Sequence, residues 1–171
     1  MNALLDQPVI EALYRASRAG VEVDLIVRGA CALRPKLRGV SQRIRVRSIV
    51  GRFLEHSRIF YFENASEPLI YLGSADWMPR NLYERVEVMF PVRSEVVRRR
   101  VIEEILHSYL RDNAKSRLMR ADGSYVRVLP GAGVRPRRNG LAFNVQEFFI
   151  ERAQEKQAPA AEPIALAASA A

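Results

Sequence analysis

Pro8-Val9-Ile10-Glu11-Ala12-Leu13-Tyr14-Arg15-Ala16-Ser17-Arg18-Ala19-Gly20, followed by Val21-Glu22-Val23-Asp24-Leu25-Ile26-Val27, is the stretch from which the fold class is read. Val9, Ile10, Leu13 and Tyr14 recur at helical spacing, so the first part predicts an amphipathic helix. Pro8 suits its first turn, Asp6 or Gln7 its cap, and Gly20 its end. VEVDLIV is too short and too rich in β-branched residues for a helix and reads as a buried strand ending at Arg28-Gly29. A helix feeding directly into a buried strand places the chain in the α/β class.

Working outward, Arg34 to Val40 reads as a basic loop punctuated by Pro35 and Gly39. Ile44 to Val50 alternates as a strand. Ile59 to Phe62 and Leu69 to Leu72 read as short strands on either side of a turn at Glu63 to Pro68, and Arg85 to Phe90 as another. Ser94 to Arg111 is the longest helical pattern, with Val97, Val101, Ile105 and Leu106 on one face and Ser94-Glu95 at its start. Tyr125 to Leu129 predicts one more strand, Pro130 to Asn139 a basic loop, and Phe143 to Gln157 a last helix. Residues 1–156 are expected to form one domain, and 157–171 an Ala/Pro-rich disordered tail. No internal repeat is visible.

The 171 residues carry 27 Lys+Arg against 19 Asp+Glu, a net charge of +8. Three of the cations are lysines and 24 are arginines. Guanidinium matches phosphate oxygens and stays charged at any relevant pH, which suits a polyanionic partner; the base composition of a GC-rich genome gives the same count. Hydrophobic residues make up 49%, enough for a core, which excludes general disorder. No apolar run reaches the roughly 18 residues of a membrane-spanning helix. Met1 to Leu13 holds Asp6 and Glu11 and lacks a signal-peptide pattern. Cys31 stands alone, so neither an internal disulfide nor a multi-cysteine zinc site is expected. These features predict a cytoplasmic protein, with peripheral membrane association as a further option.

His56 stands out of the two histidines. It lies in Gly51-Arg52-Phe53-Leu54-Glu55-His56-Ser57-Arg58 ahead of a strand, and Gly73-Ser74-Ala75-Asp76-Trp77-Met78-Pro79-Arg80-Asn81 follows. An imidazole, a cation two residues on and a Gly-Ser turn offering N–H and hydroxyl donors suit in-line phosphoryl transfer. His107 lies inside the long helix and needs no function. Arg43, Arg45 and Arg47 alternate onto one strand face, fit for a long anion or for an edge strand guarded by charge. Arg135, Arg137 and Arg138 sit in a Gly/Pro loop open to the same use. Arg98 to Arg100 fan around a helix and read as solvated surface. Trp77 is expected to pack in the core, and Cys31 to be inert.

His56-x-Arg58, Glu63 and Gly73-Ser74-x-Asp76 resemble the half-site of the phospholipase D-like superfamily, which writes His-x-Lys, an acid five residues later, then Gly-Ser-x-Asn. Arg replaces Lys here, Glu replaces Asp and Asp replaces Asn. Longer strings are more specific: Asp24-Leu25-Ile26-Val27-Arg28-Gly29, Arg45-Val46-Arg47-Ser48-Ile49-Val50-Gly51-Arg52, Leu54-Glu55-His56-Ser57-Arg58 and Ser74-Ala75-Asp76-Trp77-Met78-Pro79-Arg80-Asn81. From about Met1 to about Glu155 the chain is similar to the C-terminal, second phospholipase D-like catalytic domain of the long-chain bacterial polyphosphate kinase family.

The resemblance implies a phospholipase D-like layered domain, a mixed β-sheet flanked by helices. It implies reversible transfer of the terminal phosphate of ATP, leaving ADP, to inorganic polyphosphate through a phosphohistidine. In the family that histidine lies in the first catalytic domain, so this chain is expected to hold half a site and to be silent without the upstream domains. A truncated product, a gene fragment and one part of a split enzyme stay open. His56 matches the family's second catalytic histidine and Arg28 its nucleotide-phosphate arginine. Arg58 and Ser74 occupy positions where phosphate contacts are expected. Arg43, Arg45, Arg47, Arg80, Arg137 and Arg138 are candidate polyphosphate contacts; Asp76 is read as a cap, and Glu63 as orienting Arg58 or as a turn residue. Mg2+ goes with the first catalytic domain, so no metal ligand is assigned. Partners are ATP, polyphosphate and the upstream domains, not a specific nucleic acid. The competing readings are a phospholipase D-like phosphodiesterase or nuclease half-site acting as a dimer, and a non-catalytic polyanion-binding module.

Overall fold

Asp6 decides where the first helix begins. Its carboxylate accepts a hydrogen bond from the Val9 backbone N–H at 3.0 Å, Pro8 fills the first turn, and α1 (Gln7–Arg18) follows. Arg15 and Arg18 in the last turn oppose the partial negative charge of the helix end. Gly20, at φ +99°, turns the chain away. The computed structural model describes residues 1–128 and 141–157. The basic loop with Arg135, Arg137 and Arg138 and the alanine-rich stretch after residue 157 lie outside the described residues.

After α1 come β1 (Val23–Ile26), β2 (Ile44–Ile49), β3 (Ile59–Phe62) and β4 (Leu69–Gly73). The short helix α2 (Pro79–Tyr83) and β5 (Met89–Pro91) follow. A helical rod then runs through α3 (Glu95–Arg99), a π-helical stretch (Arg100–Leu106) and α4 (His107–Arg111). β6 (Ser116–Met119), β7 (Tyr125–Arg127) and α5 (Val145–Gln157) complete the described order.

The strands form two sheets. One is mixed, in the order β1-β2-β6-β7, with β1 parallel to β2 and the remaining pairs antiparallel. The other is antiparallel, β3-β4-β5. The expected mixed sheet flanked by helices is present, and the second sheet adds to it. Ile44 and Val46 face α1 and pack with Ile10, Leu25, Val27, Leu33 and Met119. Ile49 has the opposite parity on β2 and packs with Phe143 and Val145, flanked by Tyr109, Phe148 and Phe149. Each fully buried aliphatic side chain contributes about 1.5–3 kcal/mol.

The N-terminal segment stitches the two sheets together. Leu4 N–H donates to Ala30 O at 2.9 Å and Leu4 O accepts from Ala32 N–H at 2.9 Å, on the side of the mixed sheet. On the other side, Leu5 N–H donates to Trp77 O at 2.8 Å and Trp77 N–H to Ala3 O at 3.1 Å. Trp77 stacks on Phe60 of β3 with ring centroids 5.2 Å apart, the packing role expected of it.

Three local readings change. Arg85 to Phe90 alternates like a strand, but the ladder holds only Met89–Pro91, because the Glu87 side chain is drawn away to Ser74 and Asn81. The expected α-helix from Ser94 widens to a π-helix over Arg100–Leu106, although Ser94 caps it through Val97 N–H as anticipated. β6 was not expected. Buried Asp112 organises the approach to β6: it accepts from Lys115 and Ser116 N–H at 2.8 and 2.9 Å, and from Val145 N–H at the start of α5 at 2.9 Å.

Candidate functional site

The segment from Gly51 to Arg58 belongs to no strand, yet it is held at several points. Gln146, on α5 and 4% exposed, accepts from Phe53 N–H and donates to Phe53 O, both at 2.9 Å. It also donates to the Glu55 carboxylate at 2.9 Å. Burial, and then a hydrogen bond to Glu55, push the Tyr109 phenol above its ordinary range. Arg28, at the end of β1, donates through Nη1 to Glu55 O at 2.9 Å. Arg58 donates through Nη1 to His56 O at 3.0 Å. The backbone on both sides of the Glu55–His56 peptide is thereby fixed. The His56 side chain is exposed, and among the described residues its imidazole has no hydrogen-bond partner.

The two arginines are themselves linked. Arg28 donates from Nε and Nη2 to Asn2 Oδ1 at 3.0 and 2.7 Å. Asn2 N–H donates to Asp76 Oδ1 at 2.7 Å. Arg58 closes the chain with Nη2 to Asp76 Oδ2 at 3.0 Å and Nε to Oδ1 at 3.3 Å. Burial raises the Asp76 carboxyl, but the hydrogen bonds from Arg58 and from the backbone at Asn2 outweigh it and leave it below its ordinary range. Arg28, His56 and Arg58 are brought together as expected. Asp76 pairs with Arg58 instead of capping a helix. Glu63 accepts from Tyr61 OH at 2.6 Å and does not orient Arg58.

Gly73 N–H donates to Arg58 O at 3.1 Å, which lays the Gly-Ser turn beside His56-Ser57-Arg58. A Cβ on Gly73 would meet Val88 O at 3.1 Å and the Phe60 ring at 3.4 Å, so a larger residue there would press on both. The Ser74 hydroxyl donates to Glu87 and accepts from Val88 N–H at 3.0 Å. Asn81 Nδ2 donates to the other Glu87 oxygen at 2.6 Å. The hydrogen bonds from Ser74 and Asn81 hold the Glu87 carboxyl below its ordinary range. Ser74 thus lies beside the site with its hydroxyl engaged by a carboxylate.

The arginine row of β2 lies elsewhere and is not one exposed face. Arg43 pairs with Glu22 at 2.7 Å, and Arg45 with Asp24 at 2.7 Å and Glu22 at 3.4 Å. Arg47 is 3% exposed and donates to Leu110 O at 2.9 Å, in the last turn of α4. Burial lowers its pKa. The row runs from the opposite end of β2 toward the site, and only Arg47, level with Ile26, approaches Arg28. Arg80 on α2 is exposed, with no ion pair to Glu84 among the described residues. Cys31 is half-buried, and burial pushes its thiol up, in keeping with an inert residue.

Sequence reasoning missed Asn2, Gln146, Glu87 and Asn81. All four act through side-chain contacts 6 to 93 residues away in the chain, which neither periodicity nor a local motif encodes. Glu87 carried one usable signal, an acid inside an otherwise apolar alternation. The arrangement as a whole presents a free imidazole on a rigid backbone beside two guanidinium groups, able to hydrogen-bond or exchange a proton with a phosphoryl oxygen. Among the described residues no three His, Cys, Asp or Glu side chains gather as metal ligands. No helix among the described residues is long and apolar enough to cross a membrane.

The sequence and the fold are shared with known proteins. Residues 1–137 match the family described as polyphosphate kinase C-terminal domain 2. A polyphosphate kinase from Burkholderia vietnamiensis is 57% identical over 141 residues, 82% of this chain and 20% of that protein. One from Pseudomonas aeruginosa is 55% identical over 152 residues, 89% of this chain and 21% of that protein. The crystal structure of polyphosphate kinase from Porphyromonas gingivalis superimposes with a TM-score of 0.80 at 40% identity, covering 91% of this chain and 23% of that one. The chain spans about a fifth of the length of the relatives it matches.

Proposed function

Since the chain belongs to the polyphosphate kinase C-terminal domain 2 family, we propose that it supplies one half of an ATP–polyphosphate phosphotransferase site. The γ-phosphoryl of ATP would pass to a histidine of an upstream domain, releasing ADP, and from there to a terminal oxygen of polyphosphate, with both steps reversible. A metaphosphate-like transfer demands positioning and charge stabilisation more than covalent help from the protein. His56 would contact the phosphoryl oxygens and move a proton, and Arg28 would stabilise the nucleotide phosphates. The Gly73-Ser74 turn would border the same anion. We place the domain at residues 1–156, supported by the packing of α5 on β2 beyond the family match, and we place the protein in the cytoplasm. Mg2+ would be held by the upstream part.

The observation that carries this reading is the exposed His56 imidazole, unpartnered among the described residues, on a backbone fixed from both sides. A chimera tests it: this chain replaces the matching fifth of the Pseudomonas aeruginosa relative. The chimera is expected to make acid-insoluble polyphosphate from ATP while the 171-residue chain makes none. A folded chimera without synthesis, or phosphodiester cleavage by the isolated chain, would overturn the proposal.

A further inference from the structure

The Arg58–Asp76 pair accounts for both the loop that carries His56 and the chain's departures from the His-x-Lys and Gly-Ser-x-Asn pattern. A lysine offers a point charge, whereas a guanidinium offers a fork that a carboxylate can close in a fixed plane. Here Arg58 stands where the pattern has Lys, Asp76 stands where it has Asn, and the two meet through two N–H···O contacts at 3.0 and 3.3 Å. The Arg58 side chain is 9% exposed and that of Asp76 7%. The third donor, Nη1, is spent on His56 O. Asp76 Oδ1 is shared with Asn2 N–H, and Asn2 Oδ1 holds Arg28, which holds Glu55 O. Two guanidinium groups thus grip two consecutive carbonyls, joined through Asn2 and Asp76.

We propose that Arg58 and Asp76 are positioning residues that set the backbone of His56, and that Arg58 does not bind phosphate. Its charge is neutralised by Asp76, three of its N–H groups face acceptors within the chain, and little of it reaches solvent. The two exchanges relative to the phospholipase D-like pattern are one coupled change: Arg requires the acid, and the acid requires Arg. Phosphate contact is left to Arg28 and the exposed imidazole. This deepens the proposed function, on which it rests for the identity of the anion, but the geometry of the clamp is independent of it.

The test is nitrogen-15 NMR of the whole 171-residue chain titrated with tripolyphosphate, following the Arg58 Nε–H and the His56 ring. The expected result is a slowly exchanging Arg58 Nε–H that holds its shift while the His56 ring signals move. Asp76→Asn should remove that protected signal, displace the Leu54 to Ser57 amides and weaken tripolyphosphate binding about tenfold. Arg58→Lys should do the same, and adding Asp76→Asn to it should cost no more than either alone. Movement of the Arg58 Nε–H on titration, or binding kept or strengthened in Asp76→Asn, would make Arg58 a phosphate ligand and overturn the proposal. The wild-type titration decides the question even if a variant fails to fold. If wild type binds no tripolyphosphate at all, the proposed function is in trouble, yet the protected Nε–H and the amide shifts in Asp76→Asn still decide the clamp.

Discussion

Arg43 and Arg45 at the start of β2 and Arg28 and Arg58 beside His56 are the same residue type used in opposite ways. The first pair reaches across to Glu22 and Asp24 at the start of β1, with 44% and 30% of their side chains exposed. The second pair turns inward, and the Arg58–Asp76 contact is nearly closed to solvent. Exposed ion pairs are screened and contribute about 0–1 kcal/mol, whereas a buried charge stripped of its partner costs about 3–5 kcal/mol. A net charge of +8 therefore says little about where arginines matter. Burial and the acceptor at the far end say more.

The contrast can be broken by substitution. Asp76→Ala strands the Arg58 guanidinium and should lower stability by about 3–5 kcal/mol in urea melts. A loss below 1 kcal/mol would erase the distinction between the two sets. Gln146→Ala frees Phe53 and Glu55 and should cost about 1–3 kcal/mol. Hydrogen exchange at the Phe53 amide should speed up with it; an unchanged rate would show that the loop is held from elsewhere.

Acid sharpens the same comparison. The folded Asp76 carboxyl sits below its unfolded value of about 3.9, so its contribution is complete above that pH and fades as pH falls through the folded value. The acid limb of the stability profile below about pH 4 should flatten in Asp76→Asn. An acid limb that keeps its slope in Asp76→Asn would mean that the buried pair contributes no more than an exposed one. The smallest effect is expected for Arg43→Ala, within about 1 kcal/mol of wild type and smaller still in high salt.

Much of this was legible from residue patterns. Val9, Ile10, Leu13 and Tyr14 marked α1, Asp6 its cap, and VEVDLIV the strand that carries Arg28, because these depend on neighbours a few residues apart. His56 and the Gly-Ser turn stood out as a motif with fixed spacing, and Arg28 through the resemblance to the family. What escaped depends on distant partners. The Arg43–Arg47 row read as one charged face, yet Arg47 is drawn under α4 by Leu110 O, 63 residues away. Glu87 read as a strand residue until Ser74 and Asn81 claimed its carboxylate. Asp76 read as a cap because its partner Arg58 lies 18 residues back in the chain.

The most direct test of the account is the effect of His56→Ala in the chimera with the Pseudomonas aeruginosa relative. General acid–base and phosphate-contact roles contribute about 10²–10⁴ in rate, so ATP-dependent polyphosphate synthesis should fall at least 100-fold while the melting temperature holds. Synthesis at the unsubstituted rate would contradict the assignment of His56 as the working group of this half-site.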